Sequence, residues 1–219
     1  MSIENKKTLE VYDMNAQMYM DHTIDSINAE PEKAERKKLA LQEFIKKSYS
    51  SLKGGSKILE IGSADGENAK YLENLGYDVT ASDVANAFIE ACKKENLNTI
   101  KFNVLEDEFP EKYNGVFCWR VFVHFTKEDV EKTLNRVYEN LEDNGIFIFN
   151  VMNGENKESL SEWVDFEGVY HMGVERFYNY FIKDELDEML KHIGYEIVSF
   201  HTEGGSNKDK WLVYALKKV

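Results

Sequence analysis

Beyond Lys57 the apolar positions of this chain alternate between two rhythms. Ile58–Ile61, Asp78–Ser82, Thr99–Phe102, Gly115–Arg120 and Gly145–Val151 are short runs that read as strands. Between them, Asn68–Asn74, Ala87–Glu95 and Lys127–Leu141 read as helices. In the last of these Val130, Leu134, Val137 and Leu141 recur at helical spacing. Residues 152–182 break the rhythm and are rich in aromatics. Leu186, Met189, Leu190 and Ile193 then mark one face of a further helix. Glu196–Thr202 and Trp211–Leu216 close the pattern as two strands joined at Gly204-Gly205, a turn suited to a hairpin. Strands alternating with helices predict an α/β fold with a mostly parallel sheet of seven strands and helices on both faces. The short final turn predicts one antiparallel edge strand.

Upstream, residues 8–28 are polar with Tyr12, Met14, Met18, Tyr19 and Met20 interleaved, which suits a helix or arm. Residues 31–49 read as a helix with Pro31 in its first turn and Leu41, Phe44 and Ile45 on its apolar face. At 219 residues, with 42% apolar and 13% aromatic side chains, the chain is expected to form one domain with a packed core. Residues 1–50 would be a helical arm or lid, and 152–182 an insertion. The net charge of −13 repels phosphate backbones and argues against a nucleic-acid partner. Cys92 and Cys118 form neither a CxxC pair nor a zinc spacing, which fits reduced thiols and no metal. No apolar run approaches the roughly 20 residues of a membrane span, and the expected location is the cytoplasm.

The chemistry centres on Lys57–Gly66, KILEIGSADG. A short strand carrying Glu60 enters a turn bounded by Gly62 and Gly66, and a helix pattern follows. That order is expected to leave free backbone N–H groups at the top of a parallel sheet, where nucleotide-like ligands bind. Asp83 closes the next strand 21 positions after Gly62, placed to accept hydrogen bonds from ribose hydroxyls. Asn103 and Val104 follow the third strand, where an adenine edge could be read by a side-chain amide and a backbone N–H. A dinucleotide site wants G-x-G-x-x-G, but Ala64 stands where the second glycine would be and residue 67 is Glu67. Glu60 and Asp65 also suit a ligand with a cationic end better than a pyrophosphate. S-adenosylmethionine has an adenine, a ribose, an ammonium and a sulfonium, and no phosphate.

ILEIGSADG, VTASD, FNV, NGVFCWRVFVHF and LEDNGIFIFNV together resemble the class I S-adenosylmethionine-dependent methyltransferases, a Rossmann-like superfamily, over roughly residues 35–219. Arg176-Phe177-Tyr178-Asn179-Tyr180 and Trp211 are similar to segments of some members. The resemblance implies that Glu60 and Gly62 shape the methionine end of the cofactor site and that Ser63, Ala64 and Gly66 line its loop. It implies that Asp83 holds the ribose, with Val84 against the adenine and Asn103 and Val104 at its edge. Trp119 and Arg120 would lie beside the cofactor at the end of strand four. Three positions depart from the family pattern: Ala64 for the middle glycine, Asn103 for an acid, and Asn144-Gly145 for Gly-Gly. Alanine at position 64 costs little only if its φ is negative.

Methyl transfer needs positioning and exclusion of water, and a base only where the acceptor must lose a proton early. His124, after strand four, is the candidate base, with a packing role as its alternative. His171 is a second candidate. Arg176 could pair with an acceptor carboxylate or phosphate, or tie the insertion to the acidic body. Tyr12, Met18, Tyr19 and His22 would form a lid. Trp163, Phe166, Tyr170, Met172, Phe177, Tyr178 and Tyr180 would wall a pocket for a small, partly apolar acceptor. The expected function is methyl transfer from S-adenosylmethionine to a small molecule. The rivals are a nicotinamide-dependent oxidoreductase and a cofactor-binding module without turnover.

Overall fold

The computed structural model describes residues 1–155, 157–165, 175–204 and 210–219. The elements run α1 (Ile3–Ala29), α2 (Pro31–Ser48), β1 (Lys57–Ile61), α3 (Glu67–Asn74), β2 (Asp78–Asp83), α4 (Asn86–Lys94), β3 (Thr99–Lys101) and β4 (Tyr113–Cys118). A 3-10 turn (Phe122–His124) follows, then α5 (Lys127–Asn140), β5 (Leu141–Asn153), β6 (Ser161–Asp165), β7 (Glu175–Phe181), α6 (Lys183–Ile193), β8 (Tyr195–Glu203) and β9 (Trp211–Lys218). The helices and strands anticipated from periodicity stand within a few residues of these bounds.

The sheet order is β3-β2-β1-β4-β5, all parallel, so the chain reverses its direction of travel between β1 and β4. Such a switch point opens a crevice at the C-terminal ends of the strands. Beyond β5 the sheet differs in detail from expectation. The antiparallel strand is β9, and it lies one place in from the edge, between β5 and β8. The hairpin returns β9 onto the long exposed side of β5, where seven residue pairs from Ile146 to Met152 can be satisfied at once. Described strands number nine, because residues 161–165 and 175–181 form an added antiparallel pair, β6–β7. β7 continues the sheet where β4 stops, pairing Met152 with Tyr180 and Asn153 with Phe181.

Strand residues alternate between two apolar layers, as a pleated sheet requires. Leu59, Val116, Phe147 and Phe149 pack with Val130, Leu134 and Val137 of α5 and Leu186 and Leu190 of α6. Ile58, Phe117, Ile146 and Ile148 pack on the other face with Ile45 and Tyr49 of the α2 end and Ala69 and Leu72 of α3. Tyr49, fully buried, donates its hydroxyl to the Val116 carbonyl at 2.7 Å. Asn144 takes φ 64° before Gly145, the left-handed conformation asparagine tolerates.

α1 is longer than its pattern suggests because much of its buried face is polar: Asn5 and Thr8 are buried beside Val11 and Ala16. Ser2 caps its first turn by accepting the Asn5 N–H at 3.1 Å. Thr8 accepts the Phe177 N–H at 3.0 Å, and Asp13 accepts the Asn86 N–H at 3.1 Å. Polar pegs of this kind, together with Tyr12, Ala16, Tyr19 and Met20 packed around Ala85 and Phe88, seat α1 across the strand ends. No described helix is long and apolar enough to cross a membrane.

Candidate active site

A cleft of about 900 Å³ opens at the C-terminal ends of the parallel strands and is roofed by α1 and the start of α2. Gly62, Ser63, Ala64, Asp83, Val84, Asn103, Val104, Trp119, Arg120 and His124 all line it, as do Tyr12 and Tyr19 from α1. The sequence therefore locates the cleft, but several residues behave differently from expectation.

The loop after β1 is anchored to β2. Gly62 and Ser63 both donate their N–H groups to the Ser82 carbonyl at 2.9 Å, and Ser82 returns its own N–H to Ser63 Oγ at 2.9 Å. Ala64 N–H goes to Asp83 Oδ2 at 3.1 Å, Gly66 N–H to the Ser63 carbonyl at 2.8 Å, and Glu67 N–H to Asp65 Oδ1 at 3.2 Å. Free N–H groups were expected along this turn; these five are spent on protein acceptors. A pyrophosphate would have to break those bonds and face the acids beside them.

Gly62, at φ 75°, could not carry a side chain, because a Cβ there would lie 2.4 Å from Val121 Cγ2. Gly66, also left-handed at φ 83°, is buried against Leu97 and Cys92 and begins α3 instead of lining the cleft. Ala64 takes φ 47°, so the favourable case of a negative φ does not hold. An alanine in this region is strained by roughly 1–2 kcal/mol. Ala64→Gly should relieve more strain than it costs in chain entropy, adding about 1 kcal/mol and raising Tm by about 2–4 °C. A lower Tm in calorimetry would mean that the loop is not strained at this residue.

Asp83 is the hub of the site. Its Oδ1 accepts the Val84 and Ala85 N–H groups at 2.7 and 3.0 Å, while Oδ2 accepts Ala64. Burial raises its carboxyl above the ordinary range, and those three donors pull it back. An ionised carboxylate offers about four acceptor positions, so one remains for a ligand hydroxyl. Glu60 is buried beneath the loop and does not line the cleft. Burial pushes its carboxyl up to about 8, against the pull of Ser63, Asn68 and the Ala69 N–H. Its Oε2 has no hydrogen-bond partner among the described residues.

Asn103 was expected to read an adenine edge through its amide oxygen. That oxygen instead accepts the Leu105 N–H at 3.0 Å, a local turn typical of asparagine. Its Nδ2 faces Met1 Sδ and Glu106. Val104 remains at the cleft wall, next to Phe102.

His124 sits at the opposite end. Its Nδ1 lies 2.9 Å from the Phe177 carbonyl and its Nε2 lies 2.9 Å from the Tyr12 hydroxyl. Arg176 Nη1 donates to the same hydroxyl at 2.9 Å. A carbonyl only accepts and a guanidinium only donates, so the chain has one polarity. Arg176 donates to Tyr12, Tyr12 donates to Nε2, and Nδ1–H donates to Phe177. His124 is thus a neutral imidazole whose basic nitrogen is covered. Burial first, and the Arg176 charge second, push it down to about 4, while the Phe177 carbonyl works the other way. Burial raises the Tyr12 and Tyr19 phenols. Tyr12→Phe leaves Nε2 buried without a donor and should cost ~1–3 kcal/mol. The matching spectroscopic expectation is an Nδ1–H tautomer that does not titrate above pH 5; nitrogen shifts moving near pH 6.5 would refute the assignment.

Arg176 and Tyr178 stand behind this chain and outside the cleft lining, with Tyr178 edge-on to His124 at 5.1 Å. Trp163 packs edge-on against Phe177 at 5.6 Å and borders a separate small recess with Lys7 and Met14. Of the expected aromatic wall, Phe177, Tyr178 and Tyr180 belong to β7, and it is Tyr12, Tyr19, Phe88, Phe102, Trp119 and Phe125 that line the cleft. His171, Phe166, Tyr170 and Met172 lie outside the described residues, as does Gly205 of the expected hairpin turn. Phe88 and the covering of Nε2 by Tyr12 were not foreseen. Nothing in the pattern relates Tyr12 to His124, 112 positions apart.

Comparison with known proteins agrees with this fold. The family model described as "Methyltransferase domain" matches residues 32–200. The relative "Probable S-adenosyl-L-methionine-dependent methyltransferase TehB" of Haemophilus influenzae is 29% identical over 140 residues, 53% of this chain and 49% of its own. The chain therefore spans about half the length of the curated relatives it matches. Among solved structures, the DhpI–SAH complex covers 98% of this chain and 97% of its own at TM-score 0.70 and 16% identity. A SAM-dependent methyltransferase from Methanosarcina mazei covers 78% and 96% at TM-score 0.66 and 17% identity.

Proposed function

The chain belongs to the methyltransferase-domain family of class I S-adenosylmethionine-dependent enzymes, and from that premise we propose that it transfers a methyl group to a small molecule held in the cleft under α1. The observation that carries this reading is the charge layout of the cleft. Asp83 and Asp65 lie at its wall with Glu60 directly beneath, while the N–H groups of the loop are already used. That set fits a cationic ligand with a ribose and no phosphate, and it disfavours a nicotinamide dinucleotide.

When bound, S-adenosylmethionine supplies a methyl carbon already activated by its sulfonium. Asp83 would hold the ribose through its remaining acceptor position. Val84 and Val104 would flank the adenine, and Asn103 would act through its backbone, its amide being engaged. Gly62, Ser63 and Ala64 shape the floor over the buried Glu60. Trp119 would border the reacting end. α1, with Tyr12 and Tyr19, closes the roof and keeps out water, which strengthens every electrostatic contact beneath it. A volume near the top of the range for small-molecule sites suits the cofactor together with a small acceptor. His124 positions Tyr12 instead of acting as the base.

Calorimetry with S-adenosylmethionine, S-adenosylhomocysteine and NAD(H) tests the donor, and binding of NAD(H) alone would overturn it. Release of S-adenosylhomocysteine across a panel of small molecules, peptides and tRNA tests the acceptor class. Turnover with only the macromolecules would overturn that part.

A further inference from the structure

We infer that the acceptor carries an oxyanion, a carboxylate or a phosphate-type group, and that Arg120 is the residue that selects it; this rests on the methyl-transfer reading above.

Arg120 stands at the end of β4 with φ 60°, a conformation that a long side chain takes only under constraint. The constraint is visible: its N–H is held at 2.7 Å by Oδ1 of Asn150, itself buried. The guanidinium lies 5.6 Å from the centre of the Trp211 ring and lines the cleft. Among the described residues no carboxylate lies within ion-pair distance of it, although the chain has 40 acids for 27 basic side chains. The eight ion pairs described all use lysine. An arginine is the better partner for a planar oxyanion. Here one is strained into the cleft and left exposed while lysines serve the surface.

Its surroundings point the same way. Burial raises the Tyr19 phenol, the charges of Arg120 and Arg176 oppose that, and Asp65 adds to it, so Arg120 acts within reach of Tyr19 in the roof of the cleft. Asp65 and Asp83 line one part of the cleft and Arg120 another, with Glu203 and the α2 residues Lys33, Lys37 and Lys38 also at its wall. A cationic donor suits the first, and an anionic acceptor suits the second. The ring nitrogens of His124 are both engaged, so nothing on that imidazole competes for the anion.

The test titrates the S-adenosylhomocysteine-saturated protein with inorganic phosphate and, separately, with acetate. At least one should bind, and which one binds tells phosphate-type from carboxylate acceptors. Arg120→Gln, kept saturated with S-adenosylhomocysteine, should weaken that binding at least tenfold. Arg120→Gly should also lose the anion yet melt about 2–4 °C higher, since relief of strain is worth about 1 kcal/mol. A structural arginine would do the reverse. The inference falls if neither ion binds a normally formed complex, if Arg120→Gln binds as wild type does, or if Arg120→Gly melts lower. Failure of wild type to bind S-adenosylhomocysteine at all would instead overturn the methyl-transfer reading, and this inference with it.

Discussion

Asp83→Ala is expected to weaken S-adenosylhomocysteine binding by roughly ten- to a hundred-fold or slightly more, ~1.5–3 kcal/mol, the usual worth of hydrogen bonds to a charged group. The same change should destabilise the protein by about 2–4 kcal/mol, because the Ala64, Val84 and Ala85 N–H groups lose their acceptor together. Those donors come from two loops, so the carboxylate staples the β1 turn to the β2 turn as well as offering an oxygen to a ribose. Asp83→Asn separates the roles. The amide oxygen can serve Val84 and Ala85, while its NH₂ would face the Ala64 N–H, so part of the stability should survive. Calorimetric affinity unchanged in Asp83→Ala, alongside a lower Tm, would leave the residue a staple only and sink the ribose assignment.

The second large effect is one of pH. Glu60 has its carboxyl pushed up to about 8 from 4.5 by burial. The folded state therefore holds a proton that the unfolded chain releases. The stability tied to that proton is fully present below about pH 4.5 and is lost as pH rises through 8. His124 runs the other way. Its value falls to about 4 from 6.5, so its contribution is present above pH 6.5 and lost as pH falls towards 4. Above pH 6.5 the His124 contribution levels off, while Glu60 keeps a protonation difference up to about 8. There the unfolding free energy should decline with pH by up to ~1.4 kcal/mol per unit, the limit for one proton. Glu60→Gln keeps the shape, has no proton to lose, and should flatten that slope. Urea titrations at pH 6.5, 7.25 and 8 that give parallel declines in both proteins would refute the buried, protonated Glu60. A cationic ligand bound above should favour the ionised form, so S-adenosylmethionine binding at pH 7 should release a proton into the buffer.

Much of this was legible from the chain. The strand–helix alternation from Lys57 to Asn140 follows from local periodicity, and the cleft follows from where such strands end. Ala64, read as a departure from a glycine, is a real one: it adopts the glycine-like φ and bears the strain. Other features depended on contacts distant in sequence. The β6–β7 hairpin carries no regular alternation, because Trp163 and Phe177 meet across the pair while Arg176 and Asn179 are also buried. α1 hides its inner face behind Asn5 and Thr8, which look like surface residues until their partners are known. For the same reason His124 looked like a base. Only the Tyr12 hydroxyl and the Phe177 carbonyl, each far away in the chain, show that its nitrogens are engaged.

Tyr12 and Tyr19 belong to a helix that ends before residue 32, where the family match begins. The roof of the cleft is thus written in a stretch of chain apart from the strand ends that hold Asp83 and Arg120. Exchange of the first thirty or so residues between relatives should reshape the roof and leave Asp83 and Arg120 in place. The roof then behaves as a cover fitted over a floor that stays the same.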